Sequence, residues 1–124
     1  RDSTAMKLSS QEKLLNVNGV KILLPWPALD VVELDDKVVV LLDPNYYLKD
    51  QAYKESLKKG GAAIRNLIAF RADGVKLWEA PFPEGSDYYY KIASSSPLIV
   101  NSFSSYRCEI DLEDGSIKGL EFMK

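Results

Sequence analysis

Apolar residues in this chain come in short runs, and turn-forming residues separate these runs about every ten positions, a spacing typical of all-β folds. Over residues 13–25, Asn18-Gly19 stands between two such runs. Asn-Gly is the strongest short signal for a β-hairpin, because both residues tolerate positive φ. A second hairpin is predicted over residues 28–43, with Asp35-Asp36 as its turn. Residues 38–42 lack polar alternation, which predicts a central strand covered on both faces.

Residues 44–61 have a different pattern, because the β-branched residues disappear and the apolar residues form only a weak helical stripe before Gly60-Gly61. This predicts a short helix or a long loop near residues 45–60. Strand patterns then return in hairpins. The complete pattern predicts a mainly β fold of about ten short antiparallel strands, in twisted sheets that are propeller-like or barrel-like.

The chain of 124 residues is long enough for one domain and too short for two ordinary ones. We expect a single β domain over residues 6–124, with residues 1–5 as an expression remnant before Met6. The net charge of −2 argues against nucleic acid as a partner. No apolar run approaches the roughly 18 residues that a membrane span needs, and no secretory signal is visible, so we expect a cytoplasmic protein without membrane contact.

The composition removes several kinds of chemistry. The chain has no histidine, which excludes histidine bases, histidine triads and most zinc sites. Its one cysteine, Cys108, cannot form an internal disulfide. Acidic residues gather near the predicted turns, where turn chemistry accounts for them, although paired carboxylates are also the machinery of glycoside hydrolases. Residues 111–115 do not have the spacing of an EF-hand loop. We therefore expect no catalytic residues, no metal and no cofactor.

Tyrosine is the residue type that composition leaves in excess, with seven in the chain. Three lie in residues 44–61, where strand propensity does not explain them. Three more are consecutive in a predicted strand, where Tyr88 and Tyr90 share one face and Tyr89 points to the other. Sheet packing is the ordinary explanation, but tyrosine also suits protein recognition, because its ring buries area while its hydroxyl stays hydrated. The candidate contact residues for a protein partner are Tyr46, Tyr47, Tyr53, Asp35, Asp36, Tyr88, Tyr89 and Tyr90.

Two hairpins carry a likeness to a known repeat. The stretches "RADGVKLWE" (71–79) and "IDLEDGSIKGLEF" (110–122) both turn on Asp-Gly. They resemble the outer hairpin of a propeller blade of the PQQ type, although only the first has the tryptophan of that pattern. A closed propeller needs at least four blades of four strands. The resemblance therefore implies two or three small antiparallel sheets, or one strongly twisted sheet.

The tail "SFSSYRCEIDLEDGSIKGLEF" (102–122), with "LLDP" upstream at 41–44, resembles small bacterial proteins that are similar to the immunity proteins of toxin systems, including contact-dependent growth inhibition. This resemblance implies an immunity protein that binds and occludes a cognate protein toxin, with a basic nuclease as the expected target. Two alternatives stay open. One is a small hydrolase that uses paired carboxylates, and the other is a module that self-associates through its sheet edges.

Overall fold

The computed structural model of the chain describes residues 2–8, 13–17, 19–34, 36–85 and 87–123. Within these residues the chain forms eleven strands and two short helices, and every strand pair is antiparallel. The strands make three separate sheets that do not close on one another. The prediction of a mainly β fold built from short antiparallel hairpins is confirmed.

Each sheet is a meander in which consecutive strands are neighbours. The first has the order β1-β2-β3, the second β4-β5-β6-β7, and the third is built from β8 to β11 in the same manner. The strand bounds are β1 Asp2–Leu8, β2 Leu14–Val17, β3 Val20–Leu23, β4 Ala28–Leu34, β5 Lys37–Leu42, β6 Leu67–Arg71, β7 Lys76–Glu79, β8 Tyr89–Ser95, β9 Leu98–Ser102, β10 Tyr106–Ile110 and β11 Ile117–Phe122.

The first two predicted hairpins are present. Gly19 turns between β2 and β3 with a φ of 83°, and its N–H donates to Asn16 Oδ1 at 3.0 Å. Strands β4 and β5 pair across the turn that contains Asp36. Asn18 and Asp35, the other predicted turn residues, lie outside the described residues. Turn-forming residues therefore predicted correctly which strands are joined as hairpins.

The segment between β5 and β6 contains two short helices, α1 (Pro44–Tyr47) and α2 (Gln51–Lys58). The Asp43 carboxylate accepts a hydrogen bond from Asn45 N at 2.9 Å, and the Asp50 carboxylate accepts one from Tyr53 N at 3.0 Å. Both aspartates are therefore N-caps, which satisfy backbone donors that a helix start leaves free. Of the two alternatives predicted near residues 45–60, a short helix or a long loop, the structure has the helical one, as a pair of short helices.

The three sheets stack as layers with the second sheet in the middle. Val38, Val40 and Leu42 of β5 point into an apolar core shared with the first sheet, and Val39 and Leu41 point into another core shared with the third. All five side chains are buried. This confirms that the run without polar alternation is a central strand covered on both faces.

The last hairpin of the third sheet packs against the second sheet, and the last hairpin of the second sheet packs against the first. Trp78 on β7 donates its indole N–H to the carbonyl oxygen of Leu112 in the β10–β11 turn at 2.9 Å. Its ring lies so close to Gly115 that a Cβ there would come within 2.5 Å of a ring carbon. Gly74, in the β6–β7 turn, lies in the same way near Val20 on β3, with more room. These turns hold neighbouring layers together.

Candidate functional site

The alternation of strand direction gives the stack two different ends. One end carries the tight turns that contain Gly19, Asp36, Gly74 and Gly115, and we call it the turn end. The opposite end, which we call the insertion end, carries the longer connections of residues 24–27, 43–66, 80–88 and 103–105. Longer connections offer more surface that the fold itself does not use, so the insertion end is where a functional site is best sought.

Asn66 fastens the helical insertion to the third sheet. Its side chain is fully buried and donates to the carbonyl oxygens of Leu42 at 3.0 Å and Tyr89 at 2.7 Å. Its Oδ1 accepts from Tyr89 N at 3.1 Å. The asparagine precedes an apolar run as an ordinary turn residue would, so the sequence offered no signal of this role.

Exposed aromatic rings gather at the insertion end. Tyr46 on α1, Phe103 after β9 and Phe122 at the end of β11 are 46%, 66% and 57% exposed. Phe103 stacks on Tyr88 with ring centroids 5.0 Å apart, and Phe122 packs against Tyr106 at 5.3 Å. We call these five side chains the aromatic set. Two of its members, Tyr46 and Tyr88, were predicted contact residues, whereas Phe103, Tyr106 and Phe122 were not predicted from the sequence.

The loop that presents Phe103 is held in a defined conformation. Asp87 Oδ1 accepts hydrogen bonds from Tyr88 N at 2.8 Å and Ser104 N at 3.2 Å, which joins the two segments. Ser105 has a φ of 75°, an uncommon value for a residue with a side chain. Strained backbone of this kind is concentrated at functional sites.

Two carboxylates lie beside the aromatic set, that of Glu84 on the surface and that of Asp87 with its Oδ2 atom buried. Tyr106 donates its hydroxyl to Glu84 at 2.9 Å, and this hydrogen bond raises the pKa of the phenol. Asp87 lies next to Tyr88, whose pKa is raised by partial burial and by that charge. The surface thus combines apolar rings with negative charge, which suits a partner that presents basic side chains.

Two of the candidate tyrosines are core residues. Tyr47 is 1% and Tyr89 0% exposed, and burial raises the pKa of both phenols. Tyr47 packs against the Trp26 and Tyr53 rings at 6.1 and 5.5 Å between centroids, and Tyr89 donates its hydroxyl to Pro81 O at 2.6 Å. Neither ring is therefore accessible as a contact residue for a partner, because the apolar area of each fills the space between layers.

The remaining tyrosines are more accessible. The Tyr53 hydroxyl accepts from Ile64 N at 2.9 Å, which ties α2 to the segment that leads into β6, and the ring is half-buried. Tyr90 is 43% exposed, on the opposite side of β8 from Tyr89, as the alternation along a strand predicts. Tyr88 precedes that strand and is half-buried under Phe103.

The acidic candidates lie elsewhere. Asp36 has a side chain that is 78% exposed and lies 3.4 Å from the Lys37 ammonium at the turn end. Asp35 lies outside the described residues. The length of strand β5 separates Asp36 from the insertion helices, which is roughly 20 Å for six residues. The candidate tyrosines and Asp36 therefore do not form one continuous surface.

Other acids at the turn end shape turns. Asp73 accepts two hydrogen bonds from the Arg71 guanidinium, at 3.0 and 2.7 Å, and these lower the pKa of its carboxyl. Asp114 accepts from the Ser116 N–H and hydroxyl, with the same direction of pKa change. Within the described part of the chain, no three Asp, Glu or Cys side chains are grouped closely enough to hold a metal ion. The helices described there are all too short or too polar to cross a bilayer.

A cleft of about 420 Å³ opens at the insertion end, between the linker after β3 and the segment that leads into β6. Its walls come from the linker after β3, the ends of β5, β6 and β7, and the segment that leads into β6. The lining residues are Pro25, Trp26, Leu42, Ala62, Ala63, Ile64, Arg65, Ile68 and Glu79.

The fold and this end together define a class: a three-layer antiparallel β protein whose long connections present a cleft and exposed aromatic rings at one end. The chain belongs to the family described as Domain of unknown function (DUF7957), whose model matches residues 5–122. No curated protein and no solved structure matches the chain. The family description names no activity, and the geometry of the insertion end is what bears on function.

Proposed function

We propose that this chain is a protein-binding module that uses the insertion end as its binding surface. The observation that carries the proposal is the gathering of Tyr46, Phe103 and Phe122 at that end, each about half exposed or more. These three rings are not part of the two apolar cores between the layers. Exposed aromatic side chains that share one surface are typical of the anchors of protein interfaces.

The specific version of the proposal is an immunity protein that occludes a cognate toxin in the bacterial cytoplasm. The exposed carboxylate of Glu84 next to aromatic rings complements a basic active-site surface, such as that of a nuclease. The net charge of −2 acts in the same direction, because opposite charges speed association. Neutralisation would follow from steric cover alone and needs no chemistry from this chain.

The test is co-expression of this chain with the product of the neighbouring gene. If the proposal is right, the neighbour arrests growth when expressed alone, and this chain restores growth and co-purifies with it. Calorimetry on the purified pair then gives the dissociation constant. A neighbour that is harmless and shows no heat of binding would refute the immunity role.

Variants at the two ends of the molecule locate the surface. Phe103→Ala and Tyr46→Ala each remove an exposed ring and should weaken partner binding about 30-fold or more, the range of interface anchors. Val75→Ala is the matched control, because Val75 is 47% exposed but lies in the β6–β7 turn at the opposite end. If Val75→Ala weakens binding as much as Phe103→Ala does, the insertion end is not the binding surface.

A further inference from the structure

We propose that the cleft beside Trp26 at the insertion end binds a small organic anion with a flat apolar body. This site is distinct from the aromatic set, and the inference does not depend on the protein-binding role. Its volume of about 420 Å³ lies in the range of small-molecule pockets, which run from roughly 300 to 1,000 Å³.

The walls of the cleft are mainly apolar and include one large flat ring. Ala62, Ala63 and Ile64 contribute aliphatic surface, and Trp26 contributes its indole. Packing against Tyr47, with 6.1 Å between ring centroids, holds the indole in place while the residue stays half-buried. A flat apolar ligand can therefore stack on a preformed aromatic surface, which costs little ordering.

Two cationic side chains lie at the cleft, although the chain as a whole has a net charge of −2. The Lys13 ammonium lies over the Trp26 ring at 5.4 Å from its centroid, and Arg65 lines the cleft. The one acidic side chain of the lining, Glu79, is already bound by the Lys76 ammonium at 2.8 Å. The lining therefore contributes the positive charge of Arg65 and a carboxylate that is already paired, which favours an anionic ligand.

Arg65 is the side chain that best accounts for recognition. It forms no ion pair with any acid in the part of the chain that the structure describes. A guanidinium presents two parallel donors that match a carboxylate or a sulfonate. The ligand class is therefore an aromatic or similarly flat carboxylate or sulfonate, with its ring on Trp26 and its acid group towards Arg65.

The experiment is an NMR titration of the ¹⁵N-labelled protein with 2-naphthoate. The chain has two tryptophans, so its spectrum contains two indole N–H signals, and Trp26→Phe identifies the one in the cleft. We expect saturable shifts of the Trp26 indole and of the Ala62 and Ala63 amides, while the Trp78 indole stays in place. Shifts confined to the aromatic set, or no saturation at millimolar ligand, would overturn the proposal.

Charge and shape are tested separately. Arg65→Gln should weaken 2-naphthoate binding about fivefold, the worth of one exposed ion pair, and should leave binding of the neutral 2-naphthamide unchanged. Ala63→Leu, which fills the cleft, should abolish both. Arg107→Gln is the matched control, since Arg107 is an exposed arginine that lines a smaller cleft on the third sheet.

Equal binding of 2-naphthoate to Arg65→Gln and to the unchanged chain would contradict the anion site. Cleft signals that shift with protein concentration alone would show that a second copy of the chain occupies the cleft, and this too would overturn the proposal. Dispersed spectra for each variant verify that the fold is intact. The protein-binding proposal is tested by other residues and stands or falls on its own.

Discussion

At the scale of single residues, the two buried tyrosines, Tyr47 and Tyr89, have different hydroxyl environments. The Tyr89 hydroxyl donates to Pro81 O, whereas the Tyr47 hydroxyl has no hydrogen-bond partner among the described residues. A buried polar group without a partner loses its hydration, and no hydrogen bond within the protein compensates for that loss. The ring of Tyr47 therefore stabilises the core while its hydroxyl opposes burial.

This difference predicts opposite effects of one substitution. Tyr47→Phe should leave the free energy of unfolding unchanged or raise it by up to about 1 kcal/mol, because it removes an unsatisfied hydroxyl. Tyr89→Phe should lower the free energy of unfolding by about 1 kcal/mol, because Pro81 O loses its donor. Urea unfolding of the two variants gives the comparison, and an equal loss in both would mean that Tyr47 has a partner after all.

At the scale of elements, the glycine turns connect the layers. Gly19, Gly74 and Gly115 each have a φ between 79° and 96° and each lies in the last hairpin of its sheet. Their surroundings differ, however. A Cβ would meet nothing within 4 Å at Gly19, a side chain at 3.4 Å at Gly74, and the Trp78 ring at 2.5 Å at Gly115. The three turns share one backbone conformation, but the space for a side chain decreases from Gly19 to Gly74 to Gly115.

Alanine substitution of these glycines should give a graded series. Gly19→Ala and Gly74→Ala should each lower the free energy of unfolding by about 1–2 kcal/mol, the cost of the left-handed backbone. Gly115→Ala should lose roughly 1–3 kcal/mol more, because the new methyl group displaces the Trp78 ring. Chemical denaturation measures the order, and near-ultraviolet circular dichroism reports the tryptophan. A Gly115→Ala variant as stable as Gly19→Ala would refute the contact between layers.

At the scale of the whole molecule, the arrangement of the insertion end depends on contacts between remote segments. Asn66 joins Leu42, at the end of β5, to the backbone of Tyr89, at the start of the third sheet. These residues are more than twenty positions apart in the chain. The buried amide side chain thus positions the helical insertion relative to the loops that carry the aromatic set.

Removing that side chain should destabilise the junction. Asn66→Ala leaves buried backbone groups of Leu42 and Tyr89 without their partner and should lower the free energy of unfolding by about 3 kcal/mol. Amide hydrogen exchange at Tyr89 N should also become faster, since this N–H loses its acceptor. Asn101→Ala is the control, because that buried amide side chain accepts one long bond from Arg107 at 3.4 Å. Equal losses in the two variants would contradict the special role of Asn66.

The sequence by itself determined the local features of this protein. Positive φ at the turn glycines and the apolar run of β5 each follow from the chemistry of a few adjacent residues. These features were enough to predict hairpins, a central strand and a helical insertion. The Asp-Gly hairpins left two or three small sheets or one strongly twisted sheet as alternatives, and the packing resolves this as three sheets.

Only the tertiary structure decided which side chains are available at the surface. Tyr46 and Tyr47 are adjacent in sequence, yet one is 46% exposed and the other 1%. The sequence equally did not show that Phe103 and Phe122 lie at the same end as Tyr46. Burial depends on which remote layer covers a residue, and that follows from the packing of three sheets, because no local pattern specifies it.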